Sequence, residues 1–252
     1  MPFLREVWLV YVRSIWIGIH NPVWIGVGLL QPILYLVLFA PLLSGLSGMP
    51  GFEGGALNTF LPGLLILQAM FGSLFVGFGL LGELREGVVE RLRVTPLKRL
   101  ALLMGRVFAD ITNFLMQSVI LILLALPFGL DVDVVGVILV LLLMVLIGLG
   151  VAPLSYAAAL ALKSEDAFAP AINMVVLPLM LLSGVLLPIE LAPDWLQVVA
   201  HANPLYYAVE AARALFNGDL GDPNVYLGIG IWAVVAALAL WLGSRSFGRA
   251  VA

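Results

Sequence analysis

An all-α integral membrane protein with six spanning helices is the fold class this chain predicts, on three observations. Of its 252 residues, 63% are hydrophobic and only 11% are charged, with a mean hydropathy of +1.14; soluble domains carry about a quarter charged residues. The apolar residues gather in runs of roughly 20, the length at which a helix crosses a bilayer with its own backbone groups satisfied. The basic residues, finally, fall almost entirely on one side of those runs.

The six runs occupy residues 23–43, 60–81, 102–128, 134–162, 167–187 and 225–242. The third and fourth are long enough to tilt or to project from the bilayer. With a cytoplasmic N-terminus, eleven of the twelve basic residues lie inside and only Arg213 lies outside. The positive-inside rule therefore places both termini in the cytoplasm and supports an even number of spans. Glu53, Asp131, Asp133, Glu190, Asp194, Glu210, Asp219 and Asp222 fall on the outer side. Cysteine is absent and histidine occurs only at positions 20 and 201. Disulfides, thiolate chemistry and most imidazole metal sites are excluded, and no bound metal is expected.

Residues 1–20 read as a helix lying on the inner leaflet. Arg5, Glu6 and Arg13 share an arc of about 100°, while Trp8, Tyr11, Val12, Ile15 and Ile19 cover the opposite face. The apolar run lacks a small-residue cleavage site and contains a glutamate and a second arginine, unlike a signal peptide. Such a helix either anchors the chain through its tryptophans or grips a cytoplasmic partner.

The stretch "ELREGVVERLRVTPLKR", residues 83–99, holds five of the twelve basic residues. It forms the cytoplasmic connection between the second and third spans. Residues 83–92 suit a short amphipathic helix crosswise to the spans, within a cytoplasmic element at 83–94. Thr95 then serves as an N-cap and Pro96 as the first position of the next helix. Basic enrichment alone is what an inner loop carries. Glu83, Glu86 and Glu90 interleaved with Arg85, Arg91 and Arg93 along an apolar edge instead suit docking to a protein with charges of both signs.

"ELREGVVERLRVTPLKRLALLMGRVFAD" resembles the corresponding region of type-2 ATP-binding-cassette permeases, above all the daunorubicin-resistance-like drug and lipid exporters. "NPVWIGVGLLQPILYLVLFAPLL" is similar to that family's first span. "LPLMLLSGVLLPIELAPDWLQVVAHANPLYYAVEAARALFNG" is similar to the region before its last helix. The resemblance covers nearly the whole chain and implies a single permease domain over residues 1–252. It implies a half-transporter that forms a homodimer in a bacterial or archaeal cell membrane, coupled to a separate ATP-binding-cassette ATPase subunit. It further implies export of a hydrophobic or amphipathic substrate, whether drug, lipid or glycolipid. On that resemblance Glu83, Arg85, Glu86, Glu90, Arg91, Thr95 and Pro96 couple to the ATPase. Ser183, Gly184 and Pro188 begin an outward lid completed by the following hairpin.

No ATP chemistry is expected in this chain itself. A P-loop needs Gly-x-x-x-x-Gly-Lys-Ser/Thr to wrap backbone amides and a lysine around phosphates, and Lys98 and Lys163 each follow leucine. The chain is therefore expected not to be an enzyme and to carry no cofactor; the resemblance implies that ATP and magnesium belong to the partner subunit. Membrane lipid and a hydrophobic substrate are the other expected partners; nucleic acid is not one.

Residues 188–224 form an extracytoplasmic hairpin before the last span. Asp194 caps a first short helix. Asn203 caps a second, with Pro204 at its first position and its end near Gly218. Tyr206 lies in the second helix, and Glu210 and Arg213 are three apart and pair. The hairpin acts either as an outer gate or as a cover for exposed helix ends.

Within the membrane, Arg106, Asp110, Asn113 and Gln117 recur at spacings of four, three and four, a stripe of about 60° on the third span. Polar groups there cost a few kcal/mol against lipid, so the stripe faces protein or water. It either lines a translocation path or bonds neighbouring helices, with Arg106 pairing Asp110. Gln68 and Asn173 are weaker members of the same class. A secondary carrier or channel is the alternative function; it calls for mid-membrane coupling carboxylates or inverted repeats, and neither is evident.

Overall fold

The computed structural model of the protein describes residues 3–20, 26, 30, 33–38, 56–88, 98–130, 133–185, 189 and 192–250. Their regular structure is helical, with no strand among the described residues. The helices are α1 (Phe3–Ile19), α2 (Ala56–Leu74), α3 (Val76–Arg85), α4 (Arg99–Ala125), α5 (Val134–Leu162), α6 (Glu165–Leu181), α7 (Asp194–Ala200), α8 (Pro204–Phe216) and α9 (Pro223–Ala250), with a 3-10 turn at Leu126–Phe128.

Among the described residues four stretches are long and apolar enough to cross a membrane: Leu57–Arg85, Arg99–Phe128, Val134–Leu162 and Pro223–Arg245. They coincide with the second, third, fourth and sixth expected spans. Most of the first expected span lies outside the described residues, although 33–38 are helical. The fifth is shorter than expected. α6 has 17 residues with prolines at 170 and 178, and it ends before a turn in which Gly184 adopts φ +75°.

α5 is apolar all round and packs against α2, α3, α4, α6, α8 and α9. A helix without a polar face belongs at the centre of a bundle. Val140, Leu143, Met144 and Ile147 are almost fully buried there, with Leu65 and Ile66 of α2, Leu103 and Val107 of α4, and Val209 and Leu215 of α8. The Asp133 carboxylate caps α5 by accepting from the Gly136 amide at 2.8 Å.

The second span is broken at Phe75, between α2 and α3. The cause is a side chain of α5 lodged in the helical ladder, a recognised origin of helix kinks. Ser155 Oγ donates to the Leu74 carbonyl at 2.5 Å and accepts from the Gly77 amide at 3.0 Å. A Cβ at Gly77 would lie 2.3 Å from Phe168 Cζ and 2.9 Å from Ser155 Oγ, so any larger residue has to displace those side chains. Ser155→Ala leaves both backbone groups without that partner and is expected to destabilise the protein by about 1–3 kcal/mol. The check is the thermal unfolding midpoint in detergent.

Three boundaries differ from the sequence expectation. Glu83 and Arg85 lie on the end of α3, within the second span itself, and Gly87 at φ +68° turns the chain there. A crosswise helix therefore does not begin at Glu83; residues 89–97, including Glu90, Arg91, Thr95 and Pro96, lie outside the described residues. The helix into the third span starts at Arg99 rather than at Pro96, because Lys98 is still extended (φ −67°, ψ 132°). Its amide donates to Glu6 of α1 at 3.0 Å, so a carboxylate from another helix satisfies the N–H of the cap residue. In the hairpin, Pro193 holds the cap position of α7 and Asp194 is its first helical residue. The acid still benefits from the positive end of the helix, without a side-chain cap bond.

α1 also differs in its setting. Glu6 meets Lys98, Val7 and Val10 press on Gly105, Tyr11 Oη lies 3.2 Å from Thr112 Oγ1, and Gly18 lies beside Asn113. These contacts follow α4 over fifteen residues, or about 22 Å of helix rise. α1 thus runs alongside the spanning helix instead of lying across it. Gly105 permits this, since a Cβ there would be 2.6 Å from Val10 Cβ. Leu4, Trp8, Trp16 and Ile17 face outward and supply the apolar exposed face.

Candidate functional site

The polar stripe of α4 lines a cavity of about 710 Å³ between α1, α2, α3 and α4. All four stripe residues reach it, together with Gln68, Glu83, Glu86, Arg13 and Tyr156. Its apolar wall includes Leu64, Leu67, Phe71 and Phe75. The aromatic rings of Phe71, Phe75 and Phe78 stack in series at centroid spacings of 5.8 and 5.9 Å along the break in the second span.

Pairing inside the cavity departs from the local expectation. Arg106, only 8% exposed, forms an ion pair with Glu83 of α3 and not with Asp110. Asp110 accepts a hydrogen bond from Tyr156 of α5 at 2.5 Å. Spacing along a helix defines a shared face, and here both side chains on that face find partners on other helices. Gln117 accepts from Gln68 Nε2 at 3.1 Å, and Ser118 Oγ donates to Gln68 Oε1 at 3.4 Å. Asn113 makes no side-chain hydrogen bond among the described residues and lies against Gly18. Three members of the stripe thus tie α4 to α3, α5 and α2 while lining open space.

At the same end of the bundle, Arg85 pairs with Glu165 at the start of α6, at 3.1 Å. Both side chains are substantially exposed, and such a pair contributes less than about 1 kcal/mol. Glu86 is exposed and ends α3.

The expected outer residues converge at the opposite end. Arg213, 8% exposed, donates from Nε to the Thr59 carbonyl at 3.1 Å and from Nη2 to the Gly184 carbonyl at 2.7 Å. Its Nη1 pairs with Glu210 at 2.7 Å. One guanidinium therefore joins α8, the start of α2 and the turn after α6. Ser183 closes that turn, donating to the Met180 carbonyl at 2.6 Å and accepting from the Val185 amide at 3.3 Å.

Asn203 accepts from the Leu205 amide at 3.0 Å as an N-cap and donates to the Leu179 carbonyl at 2.8 Å. Pro204 is the first residue of α8, and its carbonyl accepts from Trp232 Nε1 at 3.0 Å. Tyr206 is buried against His201 at 4.9 Å between rings. Pro188 lies outside the described residues.

Residues 5–217 match the ABC-2 type transporter family. The chain belongs to that family. Curated relatives of this ABC-2 chain include the daunorubicin resistance ABC transporter permease protein DrrB1 of Streptomyces coeruleorubidus, 28% identical over 219 residues, or 84% of this chain and 77% of the relative. The putative transport permease ycf38 of Cyanophora paradoxa is 29% identical over 193 residues, covering 75% and 67% respectively. The probable doxorubicin resistance ABC transporter permease protein DrrC of Mycobacterium tuberculosis is 25% identical over 220 residues, covering 85% and 79%. DrrB1 and DrrC are by name permease proteins of ABC transporters, and membership of the ABC-2 family implies an ABC ATPase partner.

Four residues that matter to the ABC-2 architecture escaped the sequence reading: Glu6 as the partner of Lys98, Ser155 in the helix break, Tyr156 on Asp110, and Thr59 as an acceptor for Arg213. The signal available for Ser155 and Tyr156 was two adjacent hydroxyls inside an apolar run. Glu6 and Thr59 carried no local signal for their distant partners.

Proposed function

We propose that the chain is the membrane half of an ATP-driven exporter, moving a hydrophobic or amphipathic drug, lipid or glycolipid outward. The observation that carries this reading is the ABC-2 match across residues 5–217. ATP and magnesium are held by the partner subunit, and this family coupling displaces the carrier or channel alternative. Six spans place both termini in the cytoplasm of a bacterial or archaeal cell, with the 83–94 connection inside and the 188–224 hairpin outside.

Two copies assemble as a homodimer across the exposed face of α6. Asn173, Met174, Leu177 and Leu181 are exposed there, beside Pro170 and Pro178. An asparagine in mid-span is costly against lipid and is accommodated by a second copy or a water-filled path. Cargo then passes between the protomers towards the hairpin.

ATP binding moves the partner subunits against Arg85, Glu86, Glu90, Arg91 and the Thr95–Pro96 corner. The pairs Glu6–Lys98 and Arg106–Glu83 carry that displacement into α1, α3 and α4 together. The test is co-purification of the full chain with its cognate ATPase subunit. Glu90→Lys combined with Arg91→Glu is expected to weaken the complex about tenfold or more, as reversed charges at an interface do, while leaving membrane insertion intact. An undiminished complex would remove the docking assignment.

A further inference from the structure

The second span and α6 are weakened at one level of the bundle. At the break after Leu74, Ser73 Oγ donates back to the Ala69 carbonyl at 2.7 Å, a local bond of the kind that bends helices. The Phe78 amide reaches only three residues back, to the Phe75 carbonyl at 3.1 Å. Ser155 of α5 stands in the gap, on the Leu74 carbonyl and the Gly77 amide. At the same glycine, Phe168 of α6 is fully buried, and its ring meets Phe78 edge-on at 4.9 Å. That contact brings Pro170, two residues further on, beside the break. Proline has no amide to give, so the Asp166 carbonyl receives no ladder bond from it.

The parts on either side of that level are held differently. Residues 61–70 of α2 are buried without exception, and Arg213 holds the Thr59 carbonyl. α3 buries only Gly77, Leu80 and Leu81. It touches residues 165–169 of α6 twice, through Phe78 on Phe168 and Arg85 on Glu165, with the buried aromatic contact the stronger of the two. The Glu83–Arg106 pair joins two long side chains, which follow a tilt of α3 through their rotamers.

We infer that α3 and the first turn of α6 form one swinging unit, hinged at Phe75 and Pro170 with Ser155 as the pin. The hinge belongs to this chain alone and does not rest on coupling to an ATPase. α3 has 10 residues, a lever of about 15 Å. A change of about 20° in the kink moves its tip by about 5 Å.

The chain has no cysteine, so spin labels on introduced cysteines read distances in the full protein in detergent by electron paramagnetic resonance. Gly82→Cys marks α3, where nothing among the described residues lies within 4 Å of a Cβ. Asp166→Cys marks the first turn of α6, Met174→Cys the part beyond Pro170, and Leu238→Cys the α9 reference, all three exposed. Ser155→Ala is expected to shift the distances from Gly82 and from Asp166 to Leu238 together, by about 5 Å. The distances from Gly82 to Asp166 and from Met174 to Leu238 should stay as in the unmodified protein. Adding Pro170→Ala restores a ladder donor and favours the helix, and should return both shifted distances to their unmodified values. Unshifted distances in Ser155→Ala, a shift of Gly82 without Asp166, or shifts that survive Pro170→Ala would overturn the inference. So would an equal shift of Met174, which marks general loosening of the bundle.

Discussion

Arg213→Ala is expected to destabilise the protein by about 3–5 kcal/mol, the range for removing one partner of a buried ion pair. The loss is compound. Glu210 loses the Arg213 guanidinium, and the Thr59 and Gly184 carbonyls lose that donor at the same time. Arg213→Lys should recover little, because a single ammonium cannot reproduce a planar fork directed at three acceptors. Thermal unfolding in detergent, followed by size-exclusion fluorescence, reads the effect. A midpoint unchanged in the alanine variant would mean that the three segments are held by apolar packing alone.

Gly136→Ala is the second large effect, expected to cost about 3 kcal/mol or more, the upper range for overpacking. A Cβ at Gly136 would lie 1.9 Å from the Leu215 carbonyl oxygen. Backbone of α8 cannot rotate aside as a side-chain tip can, so α5 and α8 must separate. Gly230→Ala is the matched control. Nothing lies within 4 Å of a Cβ there, and its helix should gain slightly from the substitution. The difference between their unfolding midpoints isolates the close approach from the general effect of glycine in helices.

Four of the expected spans were legible because hydropathy is a property of runs, and runs survive whatever the chain packs against. Local chemistry was legible too. Asn203 with Pro204 starts α8, and Glu210 pairs with Arg213, since cap and pair are both completed within a few residues. Partner choice across the fold was not. The spacing of Arg106 and Asp110 allows a pair on one helix, yet Glu83 and Tyr156 take them from other helices. Arg213 shows both sides in one residue: its glutamate is three positions away, its Thr59 acceptor 154 positions away. The start of α4 was misplaced for the same reason, because Glu6 acts on Lys98 from 92 residues upstream.

The closeness of Gly136 to Leu215 bears on how firmly α8 is held. α8 is bolted to the frame at several points: Gly136 against Leu215, Gly228 against the Tyr207 carbonyl, Trp232 on Pro204, and the Arg213 guanidinium. On α7, Ala200 is buried while Trp195 and Val198 stand about 70% exposed. α8 is therefore a fixed post of the frame, while α7 turns an apolar face outward.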